Sequence, residues 1–396
     1  MLALGAAMMA ATAHAQTYTV LHAFMGQDGA MPFGEGVILD RAGNLYGTTI
    51  EGGQAFAGVV YRLGPNGAEQ VLYSFTSGAG GEYPQAGVIH DSAGNLYGTT
   101  HQGGITTGVC ASVGCGTVYK LDKTGTYSVL HSFTGGADGG YSATGLILDA
   151  AGNLYGTASE GAFGTGVVFK LDTTNAETVL YSFMGGTDGA YPSGALLRDA
   201  AGNLYGTASL GGAFNQGVVF KVDTLGNETV LYSFTGGADG GSPGGGVVTD
   251  ASGNLYGTAA AGGITKGICA KGIPAGCGVV FKLDPSGNET VLHTFTGRAD
   301  GGFPSSGVIR DAAGNLYGEA ALGGTATTSA CSNTIGCGVV FKLDTSNVET
   351  VLHNFDERDG RNPAGGLVQD SAGNLYGTTE IGGSKQNFGV VFKLTP

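Results

Sequence analysis

Apolar and polar positions in this chain alternate in short bursts. Runs such as Val168-Phe169-Lys170-Leu171 and Val179-Leu180-Tyr181-Ser182-Phe183 are each closed by Gly, Pro, Asn or Asp, which is the pattern of short strands joined by turns. No stretch keeps a 3.6-residue apolar period for three turns. Glycine also recurs too often for a helix to survive its cost of about 1 kcal/mol per residue.

The bursts repeat. Gly-Asn-Leu-Tyr-Gly begins at Gly43, Gly94, Gly152, Gly202, Gly253, Gly314 and Gly373, with spacings of 51, 58, 50, 51, 61 and 59 residues. Each unit parses into four strands; in the unit from Gly194 these are Ala195 to Leu197, Asn203 to Thr207, Gly217 to Val222 and Thr229 to Phe234. The chain opens with a fourth-strand segment, Thr17 to Phe24, and ends with a third-strand segment, Gly389 to Leu394. The two ends complement each other, so one blade is completed from both, a closure that removes an exposed sheet edge. An open solenoid would need polar capping repeats, and none is visible. The expected fold is all-β: a seven-bladed β-propeller of four-stranded blades, the last blade closed by the N-terminal strand, forming one domain over residues 16–396.

The units DAAGNLYGTASEGAFGTGVVFKLD and ETVLYSFMGGTDGAYPSGALL resemble the GloVer tandem repeat of bacterial extracellular proteins across the whole mature chain. The resemblance implies secretion and repetition. It carries over no activity and no catalytic residues. Family members pair with surface-anchor or sorting signals, and the absence of a C-terminal anchor here puts surface tethering in doubt. The segment GLILDAAGNLYGTA is also similar to NHL-type propeller blades, a likeness of fold that licenses no chemistry.

Composition narrows the partners. Gly (78) and Pro (10) are abundant but ordered by the repeat, and charged residues make up only 12%. The net charge of −14 speaks against nucleic acid and anionic membranes, which want Lys/Arg clusters. Residues 1–15 read as a signal peptide: Leu2 to Ala15 is uncharged and apolar and ends in Ala13-His14-Ala15, although a positive n-region is missing. No later run approaches the roughly 18 apolar residues of a membrane span. The expectation is a secreted monomer, outside the cell, on its surface or in the periplasm, whose partner is an extracellular polymer or protein.

Repeated residues are read first as architecture. The motif tyrosines (Tyr46, Tyr97, Tyr155, Tyr205, Tyr256, Tyr317, Tyr376) and the leucines beside them should point to opposite neighbouring blades, with the following Gly making room where blades approach. The Asp three residues before each motif is turn chemistry. A second set, Asp28, Asp138, Asp188, Asp239, Asp300 and Asp359, each followed by Gly, lies after the fourth strands. Asp-Gly turns explain it. The alternative is six carboxylates around one mouth of the channel, where calcium is the cation such oxygens would hold; no other cofactor is expected. Six cysteines fall as Cys110/Cys115, Cys269/Cys277 and Cys331/Cys337 in the three longest units, each pair a local disulfide in a loop between second and third strands. Zinc would need more ligands, and only His101 lies near a pair.

Departures from symmetry carry more functional information. His90, Arg198 and Arg310 end first strands, and Glu319 replaces a motif Thr; together they would give the channel a polar site. Two classes of function follow. One is a binding or scaffold module that uses the stapled loops as a recognition face. The other is a metal-assisted lyase or lactone hydrolase with a channel site. Near-identical units supply few of the unique residues catalysis needs, which favours binding. A channel of Gly, Ser and Thr would support that choice, and an isolated His/Glu/Asp cluster would reverse it.

Overall fold

The computed structural model describes residues 16–34, 36–271, 276–326, 328, 331 and 336–396; the proposed signal peptide lies outside them. Seven antiparallel sheets follow one another along the chain. Blade 4 shows the pattern, with strands Ala190–Arg198, Leu204–Leu210, Val218–Val222 and Glu228–Ser233 from the axis outward. Its third and fourth strands slip register between Val219 and Phe220. The innermost strand of most blades is only two residues long, as at Ile309–Arg310.

Thr17–Ala23 pairs antiparallel with Val390–Thr395, from Thr17 opposite Thr395 to Ala23 opposite Val390. The last blade is therefore closed by the first strand, and the ring has no free edge at the junction.

The core is seven apolar clusters, each straddling two blades. One joins Leu154, Val167 and Phe169 of blade 3 to Phe133 and Tyr97 of blade 2, and another joins Val391 and Tyr376 of blade 7 to Leu45 and Val59 of blade 1. Motif Leu and Tyr thus face opposite neighbours, as alternation along a strand requires. The motif Gly has a different cause from the one expected. The space beside it is filled by the third-strand aromatic of its own blade, so a Cβ on Gly206 would lie 2.6 Å from the Phe220 ring. Each tyrosine hydroxyl donates to the motif Asp at 2.9–3.2 Å. That same Asp accepts from the motif Asn side chain and backbone, as Asp250 does from Asn254 at 2.7 and 3.0 Å. The Asp-x-x-Gly-Asn segment is a turn, and the motif Tyr is its strut.

Candidate functional site

Where the connection from an outer strand dives toward the axis, one residue per blade holds a left-handed backbone. Met31, Tyr83, Tyr141, Tyr191, Ser242, Phe303 and Asn362 all have φ between 50° and 59°. Such a conformation costs a side-chain-bearing residue about 1–2 kcal/mol. Each is held by its N–H, which donates at 2.7–3.1 Å to a carbonyl of the preceding blade, two residues before that blade's third strand. In three cases the acceptor is a cysteine: Cys115 for Tyr141, Cys277 for Phe303 and Cys337 for Asn362. All three expected disulfides are present, with Cα atoms 5.0–5.2 Å apart, and no described cysteine is free. Their sulfurs lie in the interblade clusters, so they pin this collar as well as their own loops.

Inside the collar is a cavity of about 470 Å³, lined by blades 1 and 3 to 7. Its walls are Gly, Ala, Ser, Val, Leu and Ile, with Phe33, Thr144, Tyr191 and Pro192, and no charged side chain is among the described lining residues. The glycines let neighbouring backbones touch: a Cβ on Gly245 would collide with the backbone nitrogen of Gly307. The hydroxyl of Ser193 donates to the Pro243 carbonyl at 2.8 Å and that of Ser209 to the Tyr191 carbonyl at 3.2 Å. Ser305 and Ser306 differ, because their buried hydroxyls have no partner.

The mixed polar channel site expected from His90, Arg198, Arg310 and Glu319 does not form. The cavity wall includes Leu197 and Ile309 but stops one residue short of Arg198 and Arg310. Strand alternation points both guanidinium groups at the preceding blade, over Tyr155 at 5.6 Å and Tyr256 at 5.8 Å, while Leu197 and Ile309 pack toward the following blade. His90 is exposed, its ring nitrogen 3.2 Å from the Asp91 carbonyl.

Glu319 sits behind the wall, 1% exposed. The motif threonines Thr48, Thr99, Thr207 and Thr258 donate to the next blade's carbonyls, as Thr258 does to Ser306 at 2.6 Å. Glu319 is longer and instead accepts the Gly366 N–H at 2.8 Å, with its Oε1 unpartnered. Burial pushes its carboxyl up to about 8, only partly opposed by the Gly366 hydrogen bond.

The six Asp-Gly carboxylates do not ring the channel mouth. They sit at the start of their connections, near the outer strands, and each bonds within its own blade. Asp28 meets His22 at 2.9 Å and the Met25 N–H at 2.7 Å. Asp359 meets His353 at 2.8 Å. Asp188 and Asp239 accept from Tyr181 and Tyr232 at 3.0 Å, and Asp138 and Asp300 lie 3.5 and 3.6 Å from His131 and His293. Among the described residues no three His, Cys, Asp or Glu side chains assemble as metal ligands.

The sequence reading missed the partners of these aspartates, although a His or Tyr six or seven residues earlier was a usable signal. It also missed Glu69, Glu177, Glu228 and Glu289 at the start of the next outer strands. Burial, then the charges of Asp28, Asp138, Asp188 and Asp239, pushes their carboxyls up to about 7. In blade 2 that position is Tyr127. Its hydroxyl donates to the Gly80 carbonyl, in the one connection that lacks the Asp, and its ring stacks on Tyr73.

The surface is asymmetric. Of 13 large exposed apolar side chains among the described residues, ten lie on the face carrying the disulfide loops and the connections between blades. Phe56, Phe163 and Phe214 top three undisulfided loops, Val109, Val113 and Ile264 lie on stapled ones, and Met25, Met184, Tyr191 and Leu210 complete the set. The opposite face, at the third-to-fourth-strand hairpins, has Leu225 and Val348.

These features define a closed repeat propeller with an axial cavity whose described lining residues carry no charge, and an apolar, disulfide-stapled face. The chain belongs to the Gloeobacter/Verrucomicrobia repeat family, whose model matches residues 6–113, 106–269 and 266–396. No protein of curated function matches the sequence. Among solved structures, the chain is similar to two extracellular domains of B. thetaiotaomicron. One belongs to a hybrid two-component system, at TM-score 0.60 and 10% identity, covering 95% of this chain and 39% of that one. The other belongs to a one-component system, at TM-score 0.54 and 10% identity, covering 96% and 40%. The chain thus spans about two fifths of those structures. A gluconolactonase from Xanthomonas campestris aligns at TM-score 0.44 and 17% identity over 76% of this chain and 85% of that one, too distant to carry an argument.

Proposed function

We propose that this protein is a secreted binding or scaffold propeller that engages an extracellular polymer or protein through the face bearing the disulfide-stapled loops. The observation that carries the reading is the placement of ten of the 13 large exposed apolar side chains on that face. A concentration of this kind on a rigid scaffold marks an interaction surface. The collar supports the reading, because connections held at their bases by interblade hydrogen bonds lose less entropy on binding. Three local disulfides fit an oxidising compartment, and the two B. thetaiotaomicron structures are themselves extracellular domains. The absence of charged side chains among the described residues of the cavity wall favours binding over general acid–base chemistry in the channel.

The test is co-sedimentation of the mature protein with insoluble polysaccharides and with cell-envelope fractions from the producing cell. The comparison is between the wild type, a Phe56→Ser/Phe163→Ser/Phe214→Ser variant and a Leu225→Ser/Val348→Ser variant. The first variant should lose most of the bound fraction at unchanged melting temperature, and the second should retain it. The opposite ranking, or no binding by the wild type, would remove the proposal.

A further inference from the structure

We infer that the axial cavity is a second binding site, separate from the loop face, for a neutral hydroxyl-bearing molecule of mono- to disaccharide size. Its volume of about 470 Å³ falls in the range of small-molecule pockets, roughly 300–1,000 Å³. The walls decide the chemistry. In a chain of net charge −14, no charged side chain is among the described lining residues. A charged ligand would lose its hydration there and meet no counter-charge from these described residues.

An entirely apolar ligand is disfavoured by the blade 6 wall. Ser306 is 7% exposed, and its hydroxyl and that of the adjoining Ser305 are buried with no partner. The corresponding hydroxyl in blade 3, on Thr144, is 2.8 Å from the Thr157 hydroxyl. In blade 6 the residue matching Thr157 is Glu319, whose Oε2 is turned instead to the Gly366 N–H. Glu319 thus leaves Ser306 without the hydroxyl partner that Thr157 gives Thr144, and Ser305 does not make the bond of its blade 4 counterpart Ser193, which donates to the next blade's Pro243 carbonyl at 2.8 Å. An unmade hydrogen bond of a buried hydroxyl costs the protein, and a ligand hydroxyl reached by a serine χ1 rotation supplies the missing partner. Leu196, Val247, Val308 and Leu367 offer apolar contact to the C–H faces of a sugar-like ring, and Tyr191 stands at the rim.

The experiment is a saturation-transfer NMR titration of the mature protein with a panel of neutral mono- and disaccharides, including glucose and cellobiose, in the millimolar range. Glucuronate and glucosamine serve as charged counterparts. At least one neutral sugar should bind, and more tightly than either charged one. Ser305→Ala should weaken that sugar about tenfold, as expected for one lost hydrogen bond, and Ala364→Leu, which fills the cavity, should abolish binding. The Phe56→Ser/Phe163→Ser/Phe214→Ser variant should bind the sugar normally, which separates this site from the loop face. Absence of binding by every neutral sugar, equal binding of the charged ones, or binding unaffected in both cavity variants would each overturn the inference.

Discussion

A Glu319→Gln substitution should make the protein more stable, and by an amount that grows with pH. The carboxyl is fully buried between blades 6 and 7, with one oxygen on the Gly366 N–H and the other unpartnered, and burial raises it from 4.5 to about 8. An acid whose folded-state pKa is raised binds its proton more tightly in the native state. Its contribution is complete below about 4.5 and is lost as pH rises through about 8. At 1.36 kcal/mol per pH unit, wild type gives up about 3 kcal/mol by pH 7 and about 5 kcal/mol above pH 8. The amide introduced by Glu319→Gln would keep the acceptor for Gly366 and never ionise. Its unpaired NH2 group shifts the difference by a constant without changing its slope. Urea unfolding midpoints of both proteins at intervals from pH 5 to 9 would show this, because the outer-strand glutamates that also titrate near 7 cancel in the comparison. A stability difference that stays flat across that range would refute the reasoning.

The motif glycine gives a second handle. Gly206→Ala should cost about 1–3 kcal/mol, since its Cβ would lie 2.6 Å from the Phe220 ring in a packed blade; thermal unfolding checks it, and an unchanged midpoint would mean the blade yields there. Reducing the three disulfides should cost about 2 kcal/mol for each short loop released. Amide exchange should then rise at Tyr141, Phe303 and Asn362, whose N–H groups are held by Cys115, Cys277 and Cys337. It should rise less at Tyr191 and Ser242, held by Thr165 and Gln216. A uniform rise would show that the disulfides do not act through the collar.

The architecture was legible because every level of the sequence repeated it. The third strand read as Gly217 to Val222 is Val218–Val222, and the terminal segments pair as their resemblance to fourth and third strands required. Placement within the ring was less legible. For Asp28 and its equivalents, read first as turns, a channel ring stayed open as the alternative because a loop's face can be inferred from topology whereas its radius cannot. The loops start at the rim, where His22 or Tyr181 captures the carboxylate first. Arg198 and Arg310 failed as channel residues because each guanidinium is drawn onto a tyrosine of the preceding blade, Tyr155 or Tyr256, and the cavity wall ends at Leu197 and Ile309. The cavity was half visible in segments such as Pro243-Gly244-Gly245-Gly246 and Pro304-Ser305-Ser306-Gly307, but a sequence does not say whether glycines open a channel or let it shut. The length of Glu319 relative to Thr was visible, while the direction in which it reached was not.

Closure of the ring by Thr17–Ala23 also sets an order of events. This strand is made first and used last. Its partner, Val390–Thr395, is made only after all the other strands of the ring. Until then the seventh blade lacks its outer strand, and the first strand is an unpaired edge. Blades 1 to 6 each pair strands close in sequence and can form early, whereas the final pairing spans almost the whole chain and pays its loop-closure entropy at the end. Folding of this molecule therefore has a natural checkpoint: a chain cut short before Val390 keeps most of its blades and never becomes a ring.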